Sequence, residues 1–279
     1  MRRNVVRRCF LAVCLVALVI QTPAFAQEPG SADAQAQAAQ ELAKKLSNPL
    51  ASLISFPIQV NYDTGFGPTG SGTRLLTNVQ PVVPVALSKS WNVISRTITP
   101  IISQTEMAPG SGRQFGLGDI SQSLFFSPSA PTKGGLIWGA GPVLLLPTAT
   151  DDLLGGDKWG AGPTFVVLKQ AKGKTMGLLM NHVWSFAGSG SADVSNTFVQ
   201  PFLSVTTPTA TTFGVNAEAN YNWETEEWSI PINFTVSQLT RFGKQPVSVT
   251  AGLRYWADNP DGSASGLGLR LGITYLFPK

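Results

Sequence analysis

The sequence predicts an all-β protein, an antiparallel transmembrane β-barrel of about twelve strands. Three observations predict it: a strict two-residue alternation of apolar and polar residues, an export leader, and a low content of charge. The alternation is clearest near the C-terminus, where residues 266–279 read GLGLRLGITYLFPK with apolar side chains at the odd positions from Leu267 to Phe277. A period of two places those side chains on one face of a β-strand.

The N-terminus carries the pattern of a secretory signal peptide. Residues 1–26 read MRRNVVRRCFLAVCLVALVIQTPAFA, in which four arginines precede an apolar run that ends at Ile20. A small-x-small site follows at Ala24-Phe25-Ala26, so we expect cleavage after Ala26. The apolar run is too short for a spanning helix. The sequence therefore predicts export across the inner membrane.

Charge and cysteine content narrow the class of protein further. The chain has 20 basic and 16 acidic residues, and removal of the four leader arginines leaves 16 of each, so the mature chain is near neutral. This balance gives no reason to expect a nucleic-acid partner. Both cysteines lie in the leader, so the mature chain has no disulfide framework. Charged residues are 13% of the chain, against roughly a quarter in ordinary soluble domains.

The predicted organisation has three parts: a signal peptide at 1–26, an N-terminal periplasmic segment at 27–50, and an outer-membrane β-barrel at 51–279. In the second part, Ser31 to Leu46 is rich in alanine and glutamine and precedes Asn48-Pro49. It predicts a short helix capped by Ser31. This segment is either a mobile periplasmic spacer or a plug that lies in or under the barrel.

Alternating segments recur from residue 51 to the C-terminus. The segments 213–223 and 247–255 alternate clearly, with a polar opposite face that suits a wet lumen. Less regular strands are predicted near 91–105, 117–127, 134–147, 159–170, 174–187 and 196–207. The links form two classes: long ones near 64–72, 106–116, 148–158, 188–195 and 257–265, and mostly shorter ones near 89, 129–133, 171–173, 208–210 and 241–245. Long loops at one end and short turns at the other are typical of outer-membrane barrels.

Aromatic and proline residues bear on this topology in opposite ways. Two interfacial girdles are predicted from Trp159, Trp184, Trp223, Trp228 and Trp256 at the outer strand ends and from Tyr275 and Phe277 at the inner ends. Proline cannot donate to a strand ladder, and a closed barrel has no edge to accommodate it. We therefore expect bulges or breaks at the prolines within the strands: Pro57, Pro81, Pro100, Pro142, Pro201 and Pro231.

Three stretches resemble a known bacterial outer-membrane family. They are Ser47–Asp63 (SNPLASLISFPIQVNYD), Leu124–Asp152 (LFFSPSAPTKGGLIWGAGPVLLLPTATDD) and Val247–Gly262 (VSVTAGLRYWADNPDG). The family is the "MetA-pathway of phenol degradation" group, often called a transporter and sometimes mislabelled neuromedin U. The resemblance covers roughly residues 40–279. It implies a barrel that passes small, hydrophobic or aromatic compounds.

Several residues are predicted to face the lumen. Glu218, Arg254 and Arg270 share the polar parity of their strands, and Arg96 and Asp119 are further candidates. They can form a structural ion-pair network, a constriction that sets solute preference, or both. The motif WGAGP occurs twice, and its glycines Gly139, Gly141, Gly160 and Gly162 predict a strip without side chains. This strip serves either strand curvature or the docking of the N-terminal segment or a substrate.

Enzymatic and metal sites are not predicted. His182, the only histidine, lies three residues before Ser185, which places the two on opposite faces of a strand and rules out a catalytic pair within it. Asp151, Asp152 and Asp157 fit a solvated acidic loop better than a calcium loop. We expect no cofactor and no metal. An outer-membrane lipid hydrolase is the least favoured alternative.

The sequence thus predicts an outer-membrane channel or transporter for small solutes. The alternative is a non-conducting barrel with a structural or surface-interaction role. The expected partners are outer-membrane lipids, the barrel-assembly machinery, which often reads a terminal strand that ends in an aromatic residue, and a small-molecule solute. Phe277 would supply that aromatic residue.

Overall fold

The computed structural model describes the backbone of residues 29–278 and the side chains of residues 33–278, so the predicted signal peptide lies outside the described residues. Residues 36–278 belong to one compact unit. One helix, α1, spans Pro29–Leu46. The strand segments that follow are β1 Ile54–Phe66, β2 Gly72–Val79, β3 Val82–Ala86, β4 Trp91–Thr105, β5 Arg113–Leu117, β6 Ile120–Pro128, β7 Leu136–Leu146, β8 Lys158–Ala171, β9 Lys174–Gly188, β10 Ser195–Thr206, β11 Thr211–Ala217, β12 Ala219–Asn222, β13 Glu227–Phe242, β14 Gln245–Asp258 and β15 Gly266–Phe277.

The strands form one closed antiparallel sheet. Neighbours in the chain are neighbours in the sheet, and β1 closes the ring by pairing with β15, from Ile54 opposite Phe277 to Tyr62 opposite Leu269. The predicted fold class, a transmembrane-type barrel of about twelve strands, is confirmed. Closure pairs the backbone groups of the first and last strands, which no open sheet would do.

Fifteen segments make twelve wall-crossing strands because three strands are interrupted. The breaks lie between β2 and β3 at Gln80-Pro81, between β5 and β6 at Gly118-Asp119, and between β11 and β12 at Glu218. In each case both segments pair with the same neighbouring strand, which is β4 for the first two breaks and β10 for the third. The breaks are therefore irregularities within single strands.

Prolines coincide with several irregularities. Pro81 lies in the break between β2 and β3, and Pro231 lies at the register shift between Ile230 and Pro231. Pro142 and Pro163 oppose each other across β7 and β8, while their pairing with β6 and β9 is interrupted at those positions. Because proline has no backbone N–H, the ladder is broken where proline would have to donate.

Side chains alternate between an outward and an inward face. On β15 the exposed Leu267, Leu269 and Leu271 point outward, whereas Arg270 is buried. The sequence predicted a polar inward face. The structure shows that this face is polar on some strands only. On β4, β6, β8 and β9 it carries the buried apolar side chains Ile94, Phe125, Val166, Leu168 and Leu179. Both faces of these strands are apolar, which explains their weak alternation.

Most links at one end of the barrel are longer than most links at the other, although the link 129–135 at the second end has seven residues. The longest link, 147–157, lies at one end, here called the long-loop end, and two-residue turns at 172–173 and 243–244 lie at the other, the short-turn end. One link at the long-loop end, 223–226, is a tight turn of four residues. The helix α1 begins at Pro29, two residues before the expected cap Ser31, because proline suits the first helical position. No helix in the described part of the chain is long and apolar enough to cross a membrane.

Candidate functional site

Glu218 binds two arginines from neighbouring strands inside the barrel. Arg270 Nη1 and Nη2 donate to Glu218 Oε1 and Oε2, each at 2.8 Å, and Arg254 Nη1 donates to Oε2 at 3.2 Å. The bidentate pair with Arg270 is the stronger geometry. The three residues selected by parity are therefore in direct contact, and the carboxylate offsets the repulsion between the two guanidinium groups.

The irregular wall at Glu218 explains how this side chain is placed. Glu218 lies between β11 and β12, where its backbone N–H donates to Pro231 O at 2.9 Å. Pro231 stands at the register shift of β13. The proline and the strand break together set the position from which the carboxylate enters the lumen.

Further polar groups extend the network toward the long-loop end. Arg270 Nε donates to Asn61 Oδ1 at 2.7 Å. Arg254 Nε lies 3.5 Å from Asp63 Oδ1, close enough for an ion pair but without hydrogen-bond geometry. Asn61 and Asp63 are both buried on β1. We call Asp63, Arg74, Arg96, Glu218, Arg254 and Arg270 the lumenal charge cluster.

Trp256 belongs to this network and not to the interfacial girdle, where the sequence placed it. Its indole N–H donates to Asp63 Oδ1 at 2.9 Å, and the Arg254 guanidinium lies 4.8 Å from its ring centroid. Trp256 shares the inward parity of Arg254, whereas Tyr255 between them is exposed. Position at a strand end suggested the girdle, but parity decides the face.

Arg96 has a different environment from the other arginines. Its Nη2 donates to Gln80 Oε1 at 2.9 Å. Among the described residues no carboxylate oxygen lies within 4 Å of it. Arg96 lines a polar cavity of about 350 Å³, which is also bordered by Glu218, Arg270 and Asn181.

The sequence predicted that Asp119 faces the lumen with the charged residues, but in the structure Asp119 does not belong to the lumenal charge cluster. Its Oδ1 accepts hydrogen bonds from Thr148 N and Ala149 N, each at 3.1 Å, and its Oδ2 accepts one from Gly156 N at 2.7 Å. The carboxylate is thus used to order the link 147–157. It lies in the break between β5 and β6, where the strand parity used for the prediction is lost.

The link 147–157 packs against the inner wall at the long-loop end. Leu153 O accepts a hydrogen bond from Gln104 Nε2 at 3.0 Å, and Gln104 also accepts one from Arg74 Nε at 2.9 Å. Leu154 is buried beside Gly116 and Gly118. Sequence reasoning missed this inward fold. The signal was present as two adjacent leucines in a loop otherwise rich in aspartate and glycine.

The segment 47–53 enters the short-turn end. Leu50 is 6% exposed and packs in the apolar cluster with Ile94, Phe125 and Leu179. The segment is held by a turn in which Asn48 Oδ1 accepts from Leu50 N at 2.9 Å, and Gln170 Nε2 donates to Lys44 O at 2.9 Å. Beyond the segment lies a cavity of about 280 Å³, which Arg96 also borders.

The four glycines of the WGAGP repeats have two roles. An added Cβ at Gly139 would lie 3.1 Å from Leu50 Cδ2, so this glycine makes room for the N-terminal segment. At Gly141 and Gly162 an added Cβ would meet the carbonyl oxygens of Leu124 and His182 on adjacent strands, and at Gly160 it would meet Val183. Docking thus accounts for Gly139, and close strand approach accounts for the other three.

His182 faces outward among aromatic side chains near the long-loop end. Thr197 Oγ1 lies 2.7 Å from His182 Nδ1 and accepts from Trp223 Nε1 at 2.8 Å. The ring centroids of His182 and Trp184 are 3.9 Å apart. Ser185 bonds to Asp193 and to Val194 N instead. Thus the described residues contain no serine hydrogen-bonded to His182.

The other predicted interfacial aromatics lie on outward positions. Exposed rings at the long-loop end are Trp159, Trp184, Trp223 and Trp228, and Phe277 is exposed at the short-turn end, with Tyr275 two residues before it on the same face. Asp151, Asp152 and Asp157 are exposed in the link 147–157. Within the described residues, no three histidine, cysteine or carboxylate side chains converge as a metal site.

Comparison with known proteins identifies the fold. No family model matches this chain, and no curated protein matches its sequence. An outer membrane channel from Pseudomonas putida F1 has a TM-score of 0.63 and 13% identity, covering 81% of this chain and 96% of its own. The translocator domain of the autotransporter NalP from Neisseria meningitidis gives 0.46 and 12%, with coverages of 89% and 96%. The KdgM porin in complex with disordered oligogalacturonate gives 0.41 and 12%, with coverages of 80% and 99%. The first of these likenesses shows that the fold is that of an outer-membrane β-barrel.

Proposed function

We propose that this chain is an outer-membrane channel for small solutes. The observation that supports it most strongly is the polar cavity of about 350 Å³ inside a barrel wall whose outward face is apolar. A filled apolar core would not place Arg96, Glu218 and Asn181 around an open space, because burying polar and charged side chains is unfavourable. The narrow lumen suits small molecules and excludes large polymers.

The outward face supports a location in the outer membrane. Exposed leucines and other apolar side chains cover the strands, and exposed tryptophans lie near the long-loop end. On this proposal the long loops face the cell exterior, the short-turn end faces the periplasm, lipids contact the outward face, and the assembly machinery reads β15. Heat-modifiable migration of protein from outer-membrane fractions tests the location, whereas recovery in the soluble periplasm would refute it.

The lumen and the family resemblance both support a class of solute. The cavity of about 280 Å³ at the short-turn end has apolar walls that include Leu53, Leu179 and Phe202. Such walls suit a hydrophobic or aromatic group. The resemblance to the MetA-pathway family supports the same class and stays a prediction. Segment 47–53, which lies at this cavity, would act as a periplasmic plug.

A non-conducting barrel is the second candidate, and one observation favours it. The ion pairs of Glu218 and the contacts of Leu50 fill part of the lumen. Planar-bilayer recordings separate the two proposals, because a channel gives discrete conductance steps that heat-unfolded protein does not give. An absence of steps, both in the native protein and in variants with a weakened plug, would favour the structural role.

An enzymatic role receives less support. A lipid hydrolase on the outward face would need a nucleophile, a base and a third group that orients the base. In the described structure His182 has one side-chain partner, the Thr197 hydroxyl at Nδ1, and its buried Nε2 has none, so one of the two groups that must contact the base is missing there.

A further inference from the structure

We infer that Arg96 forms a binding site for a small carboxylate that carries an apolar group, such as an aromatic acid. This inference rests on the proposed function, because it assigns a ligand class to the lumen of the channel. It starts from the difference between Arg96 and the other arginines of the lumenal charge cluster.

The cluster holds four arginines and two carboxylates, so it carries two positive charges in excess. Both carboxylates are already engaged: Glu218 pairs with Arg254 and Arg270, and Asp63 with Arg254 and Trp256. Glu218 borders the same polar cavity as Arg96 but has neither an ion pair nor a hydrogen bond with it. The excess positive charge therefore favours an anion over a cation in the lumen.

Arg96 has free capacity to bind that anion. A guanidinium has five N–H donors, and Arg96 has one hydrogen bond, to the neutral Gln80. No nitrogen of Arg96 is among the described side-chain atoms that are fully buried without a partner, so its unbonded donors are not sealed from the cavities that Arg96 borders. A planar fork of N–H groups matches a carboxylate in bidentate geometry.

The surroundings select an apolar group on the same molecule. Arg96 borders both lumenal cavities, the polar one of about 350 Å³ and the smaller one of about 280 Å³ beside segment 47–53. Leu53 and Phe202 line the smaller cavity, whereas Leu179, Gln200 and Asn216 line both. A carboxylate on Arg96 would place its apolar group against Leu179 and Phe202, where transfer from water is favourable.

Isothermal titration of the detergent-solubilised full chain tests this site without a conductance measurement. The probes are benzoate, its neutral analogue benzamide, and acetate, which lacks the ring. Benzoate should bind at least about tenfold more tightly than either analogue, because only benzoate uses both the guanidinium and the apolar wall. Equal binding of benzoate and benzamide, or no benzoate binding, would overturn the inference.

Variants locate the site. Arg96→Gln should weaken benzoate about tenfold or more and leave benzamide unchanged, whereas the exposed Arg113→Gln should bind both as the native chain does. Arg96→Lys keeps the charge but loses the planar fork of N–H donors, so it should retain only part of the preference for benzoate over benzamide. This variant replaces Arg96→Gln as the test if Arg96→Gln does not fold. Unchanged benzoate binding in a folded Arg96→Gln protein would overturn the assignment.

The experiments can refute the channel function and the carboxylate site independently of each other. A chain that binds benzoate through Arg96 but gives no conductance steps keeps the carboxylate site and loses the channel function. A chain that conducts but does not prefer benzoate over benzamide keeps the channel and loses the site.

Discussion

Glu218 is the residue whose charge most directly sets the electrostatics of the lumen. It neutralises part of the charge of Arg254 and Arg270, and it lines the polar cavity. Glu218→Gln keeps the shape and removes the charge, so we expect a more positive interior and a shift of ion selectivity toward anions. Reversal potentials of bilayer-reconstituted protein under a salt gradient measure this shift.

The matched control is Glu224→Gln, which makes the same charge change in the exposed link 223–226. It should move the reversal potential much less, since exposed charges at the rim are screened by salt. Equal shifts in both variants, or none in a folded and conducting Glu218→Gln channel, would remove Glu218 from the ion pathway.

Strand parity was sufficient to find the lumenal ion pair but not every site residue. Arg254 and Arg270 followed from alternation because they lie within regular strands, and Glu218 followed because the break at this residue keeps the alternation, with Asn216 and Asn220 also bordering the lumenal cavity. Asp119 was misplaced because a strand break suspends the period of two at that point. Leu154 was missed because strand parity does not extend into a link, where the adjacent pair Leu153-Leu154 was the only signal of an inward fold.

On the scale of an element, β15 offers a test of which face meets lipid. Leu271 is 58% exposed and points outward, whereas Gly272 points inward, where an added Cβ would meet Thr250 at an ordinary 3.4 Å. Leu271→Arg should lower the free energy of unfolding in a bilayer by about 2–4 kcal/mol if it lies near the midplane. Gly272→Ser should change it much less. Refolding into lipid vesicles with denaturant titration compares the two, and equal losses would contradict the assigned faces.

Segment 47–53 makes its main apolar contact through Leu50. Truncation of a buried leucine to alanine removes about 2–5 kcal/mol of packing free energy. Because this segment precedes β1, Leu50→Ala should release it from the lumen while the barrel stays closed. We expect larger or longer conductance steps in single-channel recordings.

Leu153→Ala serves as the control for that experiment, since Leu153 is an exposed leucine in the link 147–157 and contributes through its backbone carbonyl. It should leave conductance close to that of the native chain. If Leu50→Ala also leaves conductance unchanged, segment 47–53 does not obstruct the pathway.

The elements were predicted better where only one face is apolar. The strands β13, β14 and β15 alternate apolar and polar residues because they divide lipid from a polar lumen. The strands β6, β8 and β9 have apolar residues on both faces near the short-turn end, where Leu50 packs. A strand that is apolar on both faces shows no period of two in its sequence. Its register could therefore not be predicted from the sequence and is seen only in the closed sheet.

Across the whole molecule, the lumen is narrowed at two separate heights. Leu154 and the link 147–157 lie at the long-loop end, and Leu50 and segment 47–53 lie at the short-turn end, with the lumenal charge cluster between them. A solute that crosses the barrel would pass both. On the proposed channel function the two obstructions act as resistances in series.

Series resistances make a prediction about combined variants. Removing one obstruction leaves the other to limit the current, so Leu50→Ala and Leu154→Ala should each raise conductance only partly. Leu154 is buried against Gly116 and Gly118, and its truncation should loosen the link as Leu50→Ala loosens the segment. The double variant should then gain more conductance than the sum of the two single gains. Single-channel recordings of the four proteins in the same salt measure this, and a double variant that conducts no better than the better single variant would mean that one end alone limits passage.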